Sequence, residues 1–153
     1  MEKLEELIAA LEKATGPDRW CDANIYAMAH GQTIQIFGGN IVSNGHSVIG
    51  WLDPGKVNVN FTPSGIGELI PRYTASIDAA VALVERVLPG WRIENLSEWD
   101  AEILRDQGPW MCDLVQRRLE FFDRKSAKCS HAPTAALALC IATLRALFPK
   151  EQP

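Results

Sequence analysis

The stretch YTASIDAAVALVERVLPGW, from Tyr73 to Trp91, is the clearest structural element in the sequence. Its apolar residues recur at the spacing of an amphipathic helix: Ile77, Ala80, Val81, Val84, Val87 and Leu88. Thr74 or Ser76 is placed to cap the start, and Asp78 puts negative charge in the first turn, where the helix dipole favours it. Pro89-Gly90 cannot continue the helix. The stretch therefore predicts a helix that packs one face on a core and is followed by a strand.

Length and composition predict a globular domain. The chain has 153 residues, of which 47% are hydrophobic and 22% charged, so it can bury a core without disulfides. We expect one domain over residues 1–150 and a frayed end at 151–153. The net charge of -4 disfavours generic nucleic-acid binding, which normally needs a basic stripe. A small anionic ligand held by a few arginines is compatible with that charge.

The start of the chain and its cysteines indicate a cytoplasmic protein. Met1 leads into charged residues and not into the apolar segment of a signal peptide. No apolar run approaches the roughly 20 residues that span a bilayer, so we expect no membrane association. Cys21, Cys112, Cys129 and Cys140 are widely spaced, and in a reducing compartment they should be free and mostly buried thiols.

Three further helices are predicted. Residues 2–14 carry a narrow apolar stripe, and Gly16 ends that helix. A second helix is predicted over 17–29, with Pro17 in its first position and Asp18 in its first turn. The last helix is predicted from about Thr134 to Phe148, with Thr134 as its cap.

Strand patterns occupy the region before the central helix. Residues 33–37 alternate, and Asn44-Gly45 separates two β-branched runs within 41–51, which is the strongest short signal for a hairpin. Residues 56–61 alternate between apolar and asparagine side chains. These runs predict an antiparallel meander of three to four strands, followed by a surface loop over 62–72.

The region after the central helix is less regular. Residues 91–96 alternate as a strand, and 97–106 suit a short helix capped by Ser97. Residues 110–122 fit a strand that leaves the core near Arg117, although a helix face is an alternative. The run at 123–132 is polar and is interpreted as a loop. Trp91 and Trp110 are interpreted as core residues of a sheet.

Three segments in one order resemble a known family. ATGPDR (14–19), YTASIDAAVALVERVLPGW (73–91) and PTAALALCIATLRA (133–146) are similar to signatures of the phage ABA sandwich domain, a family of small phage and prophage proteins. Pro133 precedes Thr134, which departs from the family's usual Thr-Pro, and residues 31–61 do not match closely. The resemblance implies three layers, helix, sheet and helix. Together with the strand pattern, we expect an α/β (α+β) fold: a three-layer α-β-α sandwich around a mainly antiparallel sheet, with a central hairpin at Asn44-Gly45. It implies no catalytic residues.

One loop contains reactive side chains. Cys129 and His131 could form a nucleophile pair or two metal ligands, and a plain polar loop is the alternative. No CxxC, no HxxxH and no glycine-rich phosphate motif accompanies them. The carboxylates at 98–102 fit an exposed turn. We therefore predict no catalytic residue, no metal and no cofactor.

Aromatic residues beside arginines suggest a ligand site. Such pairs suit base stacking with a phosphate grip, or a protein-binding hot spot. An anion could meet the start of the central helix at Arg72-Tyr73. Arg117 and Arg118 belong to a basic run over 117–128, for which a solvated loop is the alternative. The candidate ligand-binding residues are Arg72, Tyr73, Thr74, Trp20, Arg19, Trp51, Arg117 and Arg118.

The sequence alone does not name a reaction. The preferred hypothesis is a non-enzymatic accessory binding protein encoded by a phage or prophage, with a role in evading host defence. It would sequester a small anionic nucleotide signal or a host protein in the host cytosol, and would do so as a homo-oligomer. The alternatives are a small hydrolase that uses Cys129 and His131, and a structural or regulatory phage protein.

Overall fold

The computed structural model describes residues 2–29, 34–37, 40–43, 47–53, 56–58, 71–99, 108–118 and 121–147, with side chains over 4–18, 20–29, 71–99, 108–116 and 129–147. The elements in these ranges are α1 (Glu2–Lys13), α2 (Arg19–Ala29), β1 (Ile34–Phe37), β2 (Asn40–Ser43), β3 (Ser47–Asp53), β4 (Lys56–Asn58), α3 (Ile77–Val87), β5 (Trp91–Glu98), β6 (Trp110–Arg118), β7 (Phe121–Ala132) and α4 (Ala135–Leu147). No helix among them is long and apolar enough to cross a bilayer.

Helix α2 begins two residues later than the sequence predicts. The Asp18 carboxylate accepts the backbone N–H of Cys21 at 3.1 Å, and the Asp18 carbonyl accepts the N–H of Asp22 at 3.0 Å. Asp18 is therefore the residue that caps the helix, because its side chain satisfies an otherwise unpaired donor of the first turn. Pro17 lies before the helix and not in its first position.

Helix α3 is the predicted central helix, and its cap is Ser76. The Ser76 hydroxyl accepts the N–H of Ala79 at 3.2 Å, and Asp78 lies in the first turn. Ala80, Val84 and Leu88 of the predicted face are buried, and so is Leu83, whereas Ile77 of that face is exposed. Thr74, the other predicted cap, is not needed there. Its hydroxyl bonds residues of α2 and of the turn before it.

Helix α4 is the most buried element. Eleven of its thirteen residues are buried, so it is apolar on nearly every side and not only along the predicted stripe. Thr134 caps it as predicted, accepting the N–H of Leu137 at 3.3 Å. At its other end, Arg145 donates to the Cys129 carbonyl at 2.7 Å and pairs with Glu12 of α1 at 2.5 Å.

The strands before α3 form an antiparallel sheet in the order β1-β2-β3-β4. The predicted meander is therefore confirmed. Strands β2 and β3 pair as a hairpin in which Ser43 lies opposite Ser47. The Asn44-Gly45 turn itself and the predicted loop at 62–70 lie outside the described residues.

A second antiparallel sheet has the order β5-β6-β7. Its third strand corrects the prediction of a polar loop at 123–132, because those residues pair with β6. Cys129 lies opposite Asp113, and His131 lies opposite Met111, while Ser130 between them is buried against α4. When only composition is considered, a strand with one polar, solvent-facing side is easily predicted to be a loop.

Strand β5 corrects a second prediction. It runs to Glu98, so Ser97 lies within a strand, opposite Met111, and does not cap a helix. The rest of that predicted helix, residues 100–106, lies outside the described residues. Trp91 and Trp110 pack against the core as predicted.

The structure is a mixed helix-and-strand fold centred on α4. This helix contacts all three strands of the β5–β7 sheet, and it also contacts α1 and α3. Cys112 and Leu114 of β6 face this core and are fully buried. Helix α2 contacts α1, α3 and β1. The described strands thus form two antiparallel sheets, and the hairpin lies in the sheet that does not carry α4.

Candidate functional site

Two segments far apart in sequence meet where α2 begins and the chain turns into α3. Thr74 is the link: its hydroxyl accepts the Asp18 N–H at 2.8 Å, and its own N–H donates to Asp22 at 2.8 Å. The Thr74 hydroxyl also lies 2.9 Å from the same Asp22 oxygen and 3.2 Å from the Asp18 carbonyl. We call this network, formed by Asp18, Asp22 and Thr74, the α2–α3 junction.

The junction is buried and carries a carboxylate. Asp22 is fully buried, and Thr74 is 1% exposed. A buried carboxylate is costly unless hydrogen bonds compensate it, and Thr74 supplies two donors. On the other side, the carbonyl of Tyr73 accepts the Cys140 thiol of α4 at 3.3 Å. The start of α2, the turn before α3 and the core helix α4 are therefore held in one fixed arrangement.

Burial and this carboxylate raise the pKa values of the groups around it. Burial first, and then Asp18 and Asp22, raise the pKa of the Cys21 thiol to about 12. Burial, and then Asp22, raise the pKa of Cys140 well above its ordinary value of 9.0. Burial and Tyr26 raise the pKa of Tyr73 to about 12. The Cys21 and Cys140 thiols and the Tyr73 hydroxyl are therefore neutral at pH 7. They add no negative charge to that of the Asp22 carboxylate.

Exposed apolar side chains flank the buried junction. Trp20 is 37% exposed and Ile77 is 45% exposed, and they are two of the three large apolar side chains that are exposed among those described. Arg72 is also exposed, while its carbonyl accepts the N–H groups of Ala75 and Ser76 in the turn that leads into α3. Chain connectivity through the Asp18–Thr74 hydrogen bond places the Cα atoms of Trp20 and Ile77 within about 25 Å.

The predicted ligand residues are only partly brought together. Thr74 belongs to the junction, and Arg72, Tyr73 and Trp20 lie beside it in the chain, but Tyr73 and Thr74 are buried. The backbone of Arg19 starts α2 beside them. Three other predicted residues lie on strands that show no link to the junction among the described residues: Trp51 in β3, and Arg117 and Arg118 in β6.

The hypothesis of an anion at Arg72-Tyr73 meets a specific obstacle. The negative charge that meets the Thr74 N–H is the protein's own Asp22, 2.8 Å away. Ser76 satisfies the Ala79 N–H of the first turn, and Asp78 adds a second carboxylate there. An external anion would be repelled by these carboxylates, and Thr74 has no free donor to offer it.

The Cys129–His131 region contains a third residue that sequence reasoning missed. Asp113 lies across the strand pair from Cys129, and Cys129 Sγ lies 3.9 Å from His131 Nε2. Burial, and then the hydrogen bond and charge of Asp113, raise the pKa of Cys129 to about 11, which Arg145 lowers only in part. The signal for Asp113 was the β6–β7 register, which requires knowing that β7 is a strand.

This arrangement differs from that of a nucleophilic cysteine or a metal centre. Reactive thiols have lowered pKa values, because a cation or a helix N-terminus stabilises the thiolate. Here the neighbouring carboxylate has the opposite effect. The His131 Nδ1 atom is buried without a hydrogen-bond partner among the described residues. Within the same part of the chain, no three His, Cys, Asp or Glu side chains are grouped so that they could hold a metal ion.

Comparisons with known proteins found no relative. No protein-family model, no curated protein and no solved structure matches the chain. The resemblance to the phage ABA sandwich domain therefore remains a prediction from the three segments that carry it.

Proposed function

We propose that this chain is a non-enzymatic binding protein of phage or prophage origin that sequesters a host protein in the host cytoplasm. One observation carries the proposal: Trp20, Ile77 and Arg72 are exposed around a junction in which the buried Asp22 and Thr74 are hydrogen-bonded to each other. We call these three side chains the junction surface. The phage origin and the role in evading host defence are supported by the family resemblance alone.

The residue types of the junction surface favour a protein partner. Tryptophan and arginine are the residues most enriched among those that dominate binding energy at interfaces. A standard interface covers roughly 800 Å² on each partner and is about 30 Å across, so one partner can cover both Trp20 and Ile77. Hydrogen bonds within the junction fix the backbone on which these side chains stand. A fixed surface loses less entropy on binding than a mobile one.

A nucleotide is the less favoured target. The Arg72 guanidinium suits a phosphate, and Trp20 suits a base. However, the Asp22 carboxylate occupies the Thr74 N–H, and Asp78 stands in the first turn of α3. These negative charges favour a basic or neutral protein surface over a phosphate. The hydrolase alternative has weaker support still, because the raised pKa of Cys129 leaves little thiolate at neutral pH.

The proposal is tested by affinity capture from a bacterial lysate with three forms of the protein. Wild type and Trp99→Ala should enrich the same protein, and Trp20→Ala should not. Trp99 is the matched control because it is the other exposed tryptophan among the described side chains, 50% exposed and directly after β5. The enriched protein is then purified. Its Kd should rise at least about tenfold with Trp20→Ala and stay unchanged with Trp99→Ala.

Two outcomes would count against the proposal. One is equal weakening by Trp99→Ala and Trp20→Ala, since binding would then not depend on the junction surface. The other is thermal stabilisation of the wild type by a cyclic or linear nucleotide that is lost with Arg72→Gln. This result would establish nucleotide sequestration in place of protein sequestration.

We also propose two architectural features, one that follows from the resemblance and one that follows from the sequestration hypothesis. The first is the three-layer α-β-α sandwich; its support is that α4 covers one face of the β5–β7 sheet. An experimental structure with a helix on the opposite face would establish it, and a bare opposite face would overturn it. The second is a homo-oligomer, which light scattering after size-exclusion chromatography tests. A mass of 16.9 kDa, that of one chain, would overturn it.

A further inference from the structure

A groove lies where helices α2, α3 and α4 end. Its volume is about 550 Å³, and it is lined by the final residues of those helices: Met28 and Ala29 of α2, Arg86 and Val87 of α3, and Leu147 of α4. Sites for small molecules have volumes of roughly 300–1,000 Å³, so the size is suitable. The groove is separate from the junction surface, which lies at the opposite ends of α2 and α3.

The floor of the groove is apolar and anchored to the core. Met28, Ala29, Val87 and Leu147 are all partly buried and pack against the main hydrophobic cluster. Their positions are therefore set by the packing of three helices. Methionine is flexible and adapts to ligands of different shape. An unbranched aliphatic chain would bind this floor favourably, because it would remove apolar surface from water.

Arg86 gives the groove a charge. Its side chain is exposed, and it makes no ion pair or hydrogen bond with the described residues. Part of its charge offsets the negative ends of the helix dipoles, since Arg86 lies in the last turn of α3 and the C-terminal ends of α2 and α4 line the same groove. The guanidinium still presents a planar donor pair at the rim of an apolar surface. A carboxylate is the group that matches this geometry with two parallel hydrogen bonds.

We propose that this groove binds an aliphatic monocarboxylate of medium chain length. The chain lies on Met28, Val87 and Leu147, and the carboxylate pairs with Arg86. A neutral alcohol of the same length lacks the ion pair, and an alkylamine is repelled by the guanidinium. Nucleotides and sugars are too polar to bury apolar surface against the floor of the groove. An apolar floor and a cation that has no partner among the described residues thus favour amphipathic anions.

Calorimetric titration of the full chain with decanoate, decanol and decylamine, below their aggregation concentrations, tests the proposal. Decanoate should bind at least about tenfold more tightly than the other two, the usual effect of a charge-assisted hydrogen bond. Arg86→Gln should reduce decanoate affinity by about the same factor and leave decanol unchanged. Arg72→Gln is the matched control, because Arg72 is an exposed arginine at the other end of α3.

Three results would overturn the proposal. The first is no heat and no thermal shift with decanoate, and the second is equal affinity for decanoate and decanol. The third is an equal effect of Arg86→Gln and Arg72→Gln, which would indicate general attraction to positive charge. Both arginines are exposed, so each variant should fold as the wild type does. Circular dichroism of each variant checks this. None of these results bears on the junction surface, so the two proposals stand or fall separately.

Discussion

At the residue scale, the molecule depends on one buried carboxylate. Asp22 lies in the first turn of α2 and is fully buried, in a position where an isolated charge would be very costly. Thr74 compensates it with a hydroxyl and a backbone N–H. The same hydroxyl accepts the Asp18 N–H at the start of α2. The Thr74 hydroxyl therefore bonds both Asp18 and Asp22. Threonine is the only residue type that combines a hydroxyl with a β-branched side chain.

Replacing Thr74 with valine should destabilise the fold by about 1–3 kcal/mol, the cost of leaving buried polar groups unpaired. Valine keeps the shape of the side chain but leaves Asp18 N–H without its acceptor and Asp22 with one donor fewer. Urea unfolding at pH 7 measures the change. Thr74→Ser keeps the hydroxyl and should lose less.

Thr15→Val is the control for that experiment, because Thr15 is exposed and should change stability by no more than about 0.5 kcal/mol. A Thr74→Val protein as stable as the Thr15→Val protein would contradict the role assigned to the junction.

The sequence could predict part of the junction. Arg72, Tyr73, Thr74 and Trp20 are singled out by residue type and by their places next to helix starts. The partner of Thr74 is not predictable in this way, because Asp22 lies 52 positions away in the chain and reads as an ordinary polar residue in a helix. The buried state of Tyr73 and Thr74 is equally a result of tertiary packing. Only the tertiary structure shows that Asp22 already occupies the backbone N–H at which an external anion was expected.

At the element scale, helices were predictable where local signals agree. Helix α3 has a cap, an acidic first turn, a periodic face and a Pro-Gly stop, and it forms as predicted. Strand β7 lacks such signals, because its polar residues resemble a loop until β6 is placed beside it. The β5–β7 sheet could not be predicted as a unit for the same reason. Sheet membership depends on which strands find partners, and strand partners are distant in sequence.

Two glycines at the ends of strands should respond very differently to alanine. Both have positive φ, +86° at Gly90 and +90° at Gly108, which costs an L-residue about 1–2 kcal/mol. A Cβ at Gly90 meets open space within 4 Å. At Gly108 it would collide with the backbone of Ala132 and Pro133, including the Pro133 nitrogen at 2.8 Å.

Gly90→Ala should therefore cost about 1–2 kcal/mol, and Gly108→Ala several kcal/mol more, because the end of β7 would have to move. Urea unfolding of both variants compares them directly. Equal losses would mean that the approach of Gly108 to β7 is not as close as the structure has it.

At the scale of the whole molecule, burial of ionisable groups sets the response to pH. Burial raises the pKa of Cys21 and Cys112 to about 12, of Cys140 well above 9.0 and of Tyr73 to about 12. In the unfolded chain these groups have their ordinary values, 9.0 for cysteine and 10.0 for tyrosine. The folded state thus holds these four protons more tightly than the unfolded state does. The groups are spread over α2, α4, β6 and the turn before α3, so the effect belongs to the core as a whole.

Stability should consequently be independent of these groups below about pH 9 and fall as the pH rises from there towards about 12. The sign follows from linkage: in that window the unfolded chain has lost protons that the native state retains, so the free energy of unfolding decreases with pH. Each fully retained proton contributes at most about 1.4 kcal/mol per pH unit.

Urea unfolding at about pH 8 and about pH 10.5 measures the loss. In Cys112→Ala the loss should be smaller by one group's share. A wild-type protein equally stable at both pH values would show that these thiols are not in the core.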